Sequence, residues 1–243
     1  MTRKILGVVL VGTLSMLLFG CSDKKEKGTS GKANLSLANA TAVALTDSLL
    51  PSYFGMKIKS VYISPDAVGA TSGPAAYVWT NPDCAPSTST TEVNDKTYSY
   101  LNNTNCNIND VKTFFDLSRT TDVVNADLNS QNLEILPGSY NYVHIEICSG
   151  DLTADTKNIE FQTADMPERK AIQIDGCTIH SDVAPAPIEV GDGEAITVSL
   201  AYDLTGAVSD GADNDDKCYT SADGTIKRCG GWPTSLKPTF AKQ

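Results

Sequence analysis

LPGSYNYVHIEIC, Leu136 to Cys148, is the stretch whose reading decides the fold class. Val143, Ile145 and Ile147 alternate with Tyr142, His144, Glu146 and Cys148, the two-residue period of a strand with one apolar and one polar face. Pro137 presets the first position of a turn and Gly138 supplies a positive φ at the second, so the chain is expected to turn sharply into this strand.

Similar runs lie on both sides of it: MKIKSVYIS, AAYVWT, VKTFFDLS, NIEFQTA, KAIQID and EAITVSLAYDL, separated by Pro, Gly, Asn and Asp. In Met56 to Ser64 the apolar face switches near Ser60, which reads as a bulge. Gly191-Asp192-Gly193 lies between two strand patterns and reads as a hairpin turn. Thr121 to Gln131, with Val123, Val124 and Leu128 at helical spacing, is the one interior helix expected, a crossover covering a sheet end. Strand after strand with turn residues between predicts an all-β chain: an antiparallel β-sandwich with one short crossover helix and a disulfide-braced C-terminal hairpin.

The N-terminal stretch MTRKILGVVLVGTLSMLLFGCSDKKEKG has a positive start at Arg3 and Lys4, an apolar run from Ile5 to Phe19 that is short for a membrane span, and the small residue Gly20. Those are the parts of a secretion signal. Leu18-Phe19-Gly20-Cys21 resembles the lipobox of bacterial lipoproteins, which implies lipidation of Cys21 and cleavage before it. Buried acyl chains would then hold the protein on a membrane. Ser22 beside the modified cysteine resembles the signals that send such proteins to the outer membrane. The polar Ser22 to Lys32 segment reads as a solvated tether. The division of the chain becomes 1–20 signal peptide, 21–38 lipidated cysteine and flexible tether, 39–208 β-sandwich, and 209–243 acidic loop and hairpin extension.

Of the 19 basic residues, Arg3 and Lys4 leave with the signal, so 17 face 29 acidic ones and the mature chain carries about −12. Such a surface excludes nucleic acid as a partner class. Two histidines leave little of the usual acid–base repertoire. No G-x-S-x-G elbow, H-E-x-x-H helix or phosphate loop occurs. A Ser/His/Asp triad around His144 or His180 has no spacing to support it. The sequence points to a protein that is not an enzyme.

Six cysteines remain beyond Cys21: Cys84, Cys106, Cys148, Cys177, Cys218 and Cys229. An even number in an exported chain predicts three disulfides. In CYTSADGTIKRC, Asp223-Gly224 is central, and an Asp-Gly hairpin would set Cys218 opposite Cys229 at about 5.5 Å, within disulfide reach. Sequence order adds Cys84 with Cys106 and Cys148 with Cys177. Each bridge contributes about 2–4 kcal/mol, chiefly by restricting the unfolded chain. A zinc site of His144, Cys148, Cys177 and His180 competes on paper, but its spacing fits no zinc pattern and the oxidising compartment favours the disulfide.

The acidic cluster Ser209 to Asp216 offers Asp210, Asp213, Asp215 and Asp216 as oxygen ligands for calcium. It departs from the EF-hand pattern at Lys217, and its plainer reading is a solvated loop before the Cys218 hairpin. No other cofactor is expected.

Val43 to Asp47 (VALTD), KIKSVYIS, FFDLS at Phe114 to Ser118, the short helix, and LPGSYNYVHIEI follow one another in an order that resembles a bacterial lipoprotein domain family of unknown function. The resemblance covers Val43 to Cys148. Leu136-Pro137-Gly138 lacks the alanine usual in that turn, and the cystines lie outside the pattern. It implies a transthyretin-like or immunoglobulin-like sandwich in the cell envelope with no assigned catalytic residue. The role expected is surface adhesion or envelope and filament assembly, with a protein partner. The alternative is a calcium, glycan or small-ligand binder using the acidic loop, Tyr219 and Trp232.

Overall fold

The computed structural model describes residues 25–39, 51–67, 75–102, 111–128, 131–146, 159–164, 166–172, 179–204, 208–210, 218–220, 226–229 and 240–242. Its elements in chain order are β1 (Glu26–Lys27), β2 (Gly31–Asn39), β3 (Tyr53–Met56), β4 (Ser60–Ser64), β5 (Ala76–Thr80), β6 (Ser87–Val93), β7 (Lys96–Asn102), β8 (Phe115–Asp116) and α1 (Thr121–Leu128). There follow β9 (Leu133–Ile135), β10 (Gly138–Glu146), β11 (Ile159–Gln162), β12 (Lys170–Ile172), β13 (Ile179–Val190), β14 (Ala195–Tyr202), β15 (Val208–Asp210), β16 (Cys218–Thr220), β17 (Ile226–Cys229) and β18 (Phe240–Lys242). The described chain is mostly strand with one helix, consistent with the all-β class. Among the described residues no helix is long and apolar enough to cross a membrane.

Three four-stranded sheets, ordered β13-β10-β4-β5, β12-β11-β3-β8 and β18-β14-β2-β9, contribute to one core. Trp79, Phe54, Phe161, Met56, Ile63, Ile135, Ile196 and Leu200 are fully buried in it. Two of these sheets are wholly antiparallel, but the third is mixed because β2 runs parallel to β14, and the smaller sheets β1-β7-β6 and β15-β16-β17 also hold a parallel pair each, which corrects the antiparallel expectation. In the β2–β14 pair Ala33 meets Ile196, Leu35 meets Val198 and Leu37 meets Leu200, so two apolar stripes face the core in register. β2 also shortens the expected tether, because Gly31–Asn39 is strand and Ala33, Leu35 and Leu37 are core. The lysine cluster upstream hides a period-two pattern that is present in GKANLSLAN.

Met56 to Ser64 is not one bulged strand. β3 pairs with β11 and β8, whereas β4 pairs with β10 and β5. The switch of face near Ser60 marks the chain leaving one sheet for another. Gly191-Asp192-Gly193 is likewise no hairpin turn, since β13 pairs with β10 and β14 with β2 and β18. Gly193 there has φ +70, a conformation that costs glycine nothing. Gly138, expected to need positive φ, is extended and opens β10 opposite Val190. The preceding turn is held instead by Tyr140, whose buried hydroxyl donates to the Leu136 carbonyl at 2.7 Å.

β13 and β10 fall out of step between Tyr140–Ile188 and Tyr142–Val183. The extra residues are Ala184-Pro185-Ala186-Pro187, and two prolines without N–H groups cannot continue a ladder there. The helix is described over Thr121–Leu128 and does not include Gln131. Val124 and Leu128 are its buried positions, and the Leu128 carbonyl accepts from Trp79 Nε1 at 2.9 Å. β6 and β7 form a hairpin through Asn94 (φ 49) and Asp95 (φ 62), both left-handed as a two-residue hairpin turn requires.

Candidate functional site

A group of polar and aromatic side chains lies on one face of β5, β4 and β10. The register sets His144 opposite Tyr62 and Tyr62 opposite Tyr77, while Tyr142 precedes His144 by two residues on the same face. His144 stacks on Tyr62 with centroids 4.6 Å apart and planes 20° apart, and Tyr62 leans on Tyr77 at 5.4 Å. Tyr142 lies 6.2 Å from His144. Across-strand aromatic pairs of this kind stabilise a sheet by a few tenths to about 1 kcal/mol each.

His144 is only 1% exposed. Its Nε2 is 2.7 Å from Ser64 Oγ, and Ser64 Oγ donates a short hydrogen bond to the Asp66 carbonyl. With the hydroxyl proton committed to that carbonyl, Nε2 must carry the hydrogen it shares with Ser64. Nδ1 is then an acceptor, and it is buried without a partner. Burial lowers the imidazole pKa, an effect the Asp66 carbonyl partly opposes, so the ring is neutral. A serine beside a histidine invites comparison with a nucleophile and its base. Here the hydroxyl donates away from the ring and no carboxylate orients Nδ1, so the geometry is that of packing.

Glu146 closes the end of this face. Lys59 Nζ donates to its Oε1 at 2.7 Å and Ser60 Oγ to Oε2 at 2.9 Å, with the two charged side chains only 15% and 14% exposed. Burial, then the Glu146 charge, pushes the phenols of Tyr62 and Tyr77 up to about 12, so both remain protonated hydrogen-bond donors.

Of the residues singled out from sequence, Cys84 is buried against Val111 and is disulfide-bonded. The loop beside it is tied down by Asp83, whose Oδ2 accepts from Lys112 N, Thr113 N and Thr113 Oγ1 at 2.8, 3.0 and 3.1 Å. Chiefly the Lys112 amide, with Thr113, holds that carboxyl below the usual range. Cys218 and Cys229 are backbone partners across β16 and β17, and Asp210 ends β15. Cys21, Cys106, Cys148, Cys177, Asp213, Asp215, Asp216, Trp232 and the Asp223-Gly224 pair lie outside the described residues, as does VALTD. His180 pairs with Ile145 in the backbone register, and two of the four residues in the competing zinc arrangement, Cys148 and Cys177, lie outside the described residues. Among the described residues no three His, Cys, Asp or Glu side chains are grouped to hold a metal.

A second cluster, around Asp192, escaped the sequence reading. Asp192 Oδ1 accepts from Thr29 N at 2.9 Å, and Oδ2 accepts from Lys96 Nζ at 2.9 Å. Gly193 N returns a bond to Thr29 O at 2.7 Å. The only signal for it was Gly-Asp-Gly, which specifies a turn and not its distant partners. With both arrangements in view, comparison with known proteins adds nothing further: no family model matches the chain, and neither the curated proteins nor the solved structures contain a match.

Proposed function

We propose that the chain is a lipid-anchored protein of the bacterial envelope, and that its β domain is a non-catalytic sandwich used in surface adhesion or in envelope or filament assembly. The observation that carries this reading is the position of Cys21, immediately after an apolar run and Leu18-Phe19-Gly20. Export agrees with a disulfide at Cys84. The sandwich reading rests on three sheets sharing one core, and the braced hairpin on the Cys218–Cys229 register. The non-catalytic reading rests on the Ser64–His144 pair, whose hydrogen bonds are spent inside the sheet face.

Protease shaving of intact cells, with a periplasmic protein as leakage control, tests the role. Release of cystine-linked fragments between Cys84 and Cys229 is the expected result. Protection until the outer membrane is opened would remove surface adhesion. Mass spectrometry of the purified protein tests the anchor: an N-terminal Cys21 bearing acyl mass is expected, and an unmodified Cys21 would overturn it.

A further inference from the structure

The first described residues enter the fold at one end of the sheets and are bound there closely. β1 runs parallel to β7, with Glu26 opposite Lys96 and Lys27 opposite Thr97, so the chain before Glu26 leaves beside the Asn94-Asp95 turn. Gly28 N donates to Thr97 O at 3.0 Å, and a Cβ at Gly28 would fall 2.2 Å from the Tyr98 ring. Lys25 pairs with Glu92. Asp192 and Gly193 grip Thr29, and Lys32 N donates to Glu194 O at 2.8 Å. The pairings Gly31–Ile135 and Gly138–Val190 bring the Leu136 to Gly138 turn to the same end.

Three turns, at 94–95, 136–138 and 191–194, therefore surround the point where the chain enters. We propose that this end is the membrane-facing surface of the domain, resting against the phospholipid headgroups of the leaflet that holds the anchor. The inference rests on the reading of Cys21 as lipidated. Four residue steps join the Cα of Cys21 to that of Lys25, and an extended chain covers about 3.3–3.6 Å per residue, so the two lie within about 14 Å. A lipidated cysteine sits at headgroup level, and the polar layer is itself several ångströms deep. The three turns cannot stand far from it. The tether expected over 21–38 is shorter than that, because Glu26–Lys27 and Gly31–Asn39 are strand.

The surface is not a basic patch. Lys25, Lys32 and Lys96 are paired with Glu92, Glu134 and Asp192, which neutralises the cations a polybasic segment would direct at anionic lipid. Orientation follows from chain length and not from lipid charge.

The test uses the full lipidated protein in nanodiscs of phosphatidylcholine carrying a small fraction of gadolinium-chelating lipid, with amide NMR intensities as the readout. Asn94, Asp95, Gly138 and Gly193 should lose several-fold more intensity than Ser87, Asn102 and Tyr202. β7 alone separates the ends of its hairpin by about 20 Å. Adding phosphatidylglycerol should leave the pattern unchanged. Equal loss at Asn94 and Asn102, or loss at neither, in protein whose Cys21 carries acyl mass would overturn the membrane-facing surface while leaving the anchor standing. Protein without acyl mass would overturn both.

Discussion

Asn125 and Leu37 are joined by two hydrogen bonds: the Leu37 amide donates to Asn125 Oδ1 at 2.7 Å, and Asn125 Nδ2 donates to the Leu37 carbonyl at 2.9 Å. The carboxamide on α1 thus serves β2 as a neighbouring strand would, beyond the point where β9 stops pairing. Gln131 does the same for β5, accepting from Thr80 N at 3.0 Å and donating to Thr80 O at 2.7 Å. Asn125→Ala would leave two partly buried backbone groups of Leu37 unpaired, a cost of about 1–3 kcal/mol. In a domain of this size that lowers Tm by several degrees. Asn125→Asp keeps the acceptor and should fall between wild type and Ala in a urea melt. Equal stability of all three proteins would show that water replaces the amide.

Gly28→Ala should separate β1 from the hairpin. The added methyl meets the buried Tyr98 ring, and accommodating it costs about 1–3 kcal/mol. The loss should be local: faster hydrogen exchange at the amide of position 28, which in the wild type bonds Thr97 O, with little change at Val198 or Leu200 in β14. Unchanged protection at that amide would mean that Tyr98 moves aside.

Strand alternation made β10, β14 and the core-facing residues of β4 legible, because each is long enough to show its period and is bounded by turn residues. What could not be read were relations between distant segments. The β2–β14 pairing joins residues more than 150 positions apart, and a lysine cluster masks its first strand. β6 and β7 are rich in Ser and Thr, so their hairpin lacks the apolar alternation that advertises a strand. Met56 to Ser64 has continuous strand character locally, yet Met56 pairs with Ile159 in one sheet and Ile63 with Val143 in another, a split that only the long-range register reveals. The Tyr62–His144 stack needed the register, which no periodicity specifies.

The Lys59–Glu146 pair should be more sensitive to single than to double replacement. Glu146→Gln leaves the Lys59 ammonium largely out of water without its countercharge, at a cost of about 3 kcal/mol. Lys59→Met combined with Glu146→Leu removes both charges and should cost less than either Glu146→Gln or Lys59→Met alone in chemical denaturation. Glu146→Gln should also lower the Tyr62 and Tyr77 phenols from about 12, since the Glu146 charge helps raise them; burial, the larger cause, persists. Absorbance at 295 nm during alkaline titration reads this directly. Additive single costs would show that the two charges are solvated independently.

His144 gives the domain a pH dependence whose sign follows from burial. Its folded pKa lies below the unfolded value of about 6.5, because the buried ring resists charging. Between those two values the unfolded chain binds more protons than the native one. Stability is therefore complete above about pH 6.5 and falls as the pH drops toward the folded pKa, by at most about 1.4 kcal/mol per pH unit. Tyr62, its phenol pushed up to about 12 chiefly by burial, stays neutral across that range, and Asp83 and Asp192, whose carboxyls are held low, contribute only at more acidic pH. Urea denaturation at several pH values from 7 down to 5 should show the decline in the wild type and a flatter line in His144→Gln. Parallel slopes in the two proteins would show that the buried imidazole is protonated as readily in the native state as in the unfolded chain, and that Ser64 and Tyr62 do not hold it neutral.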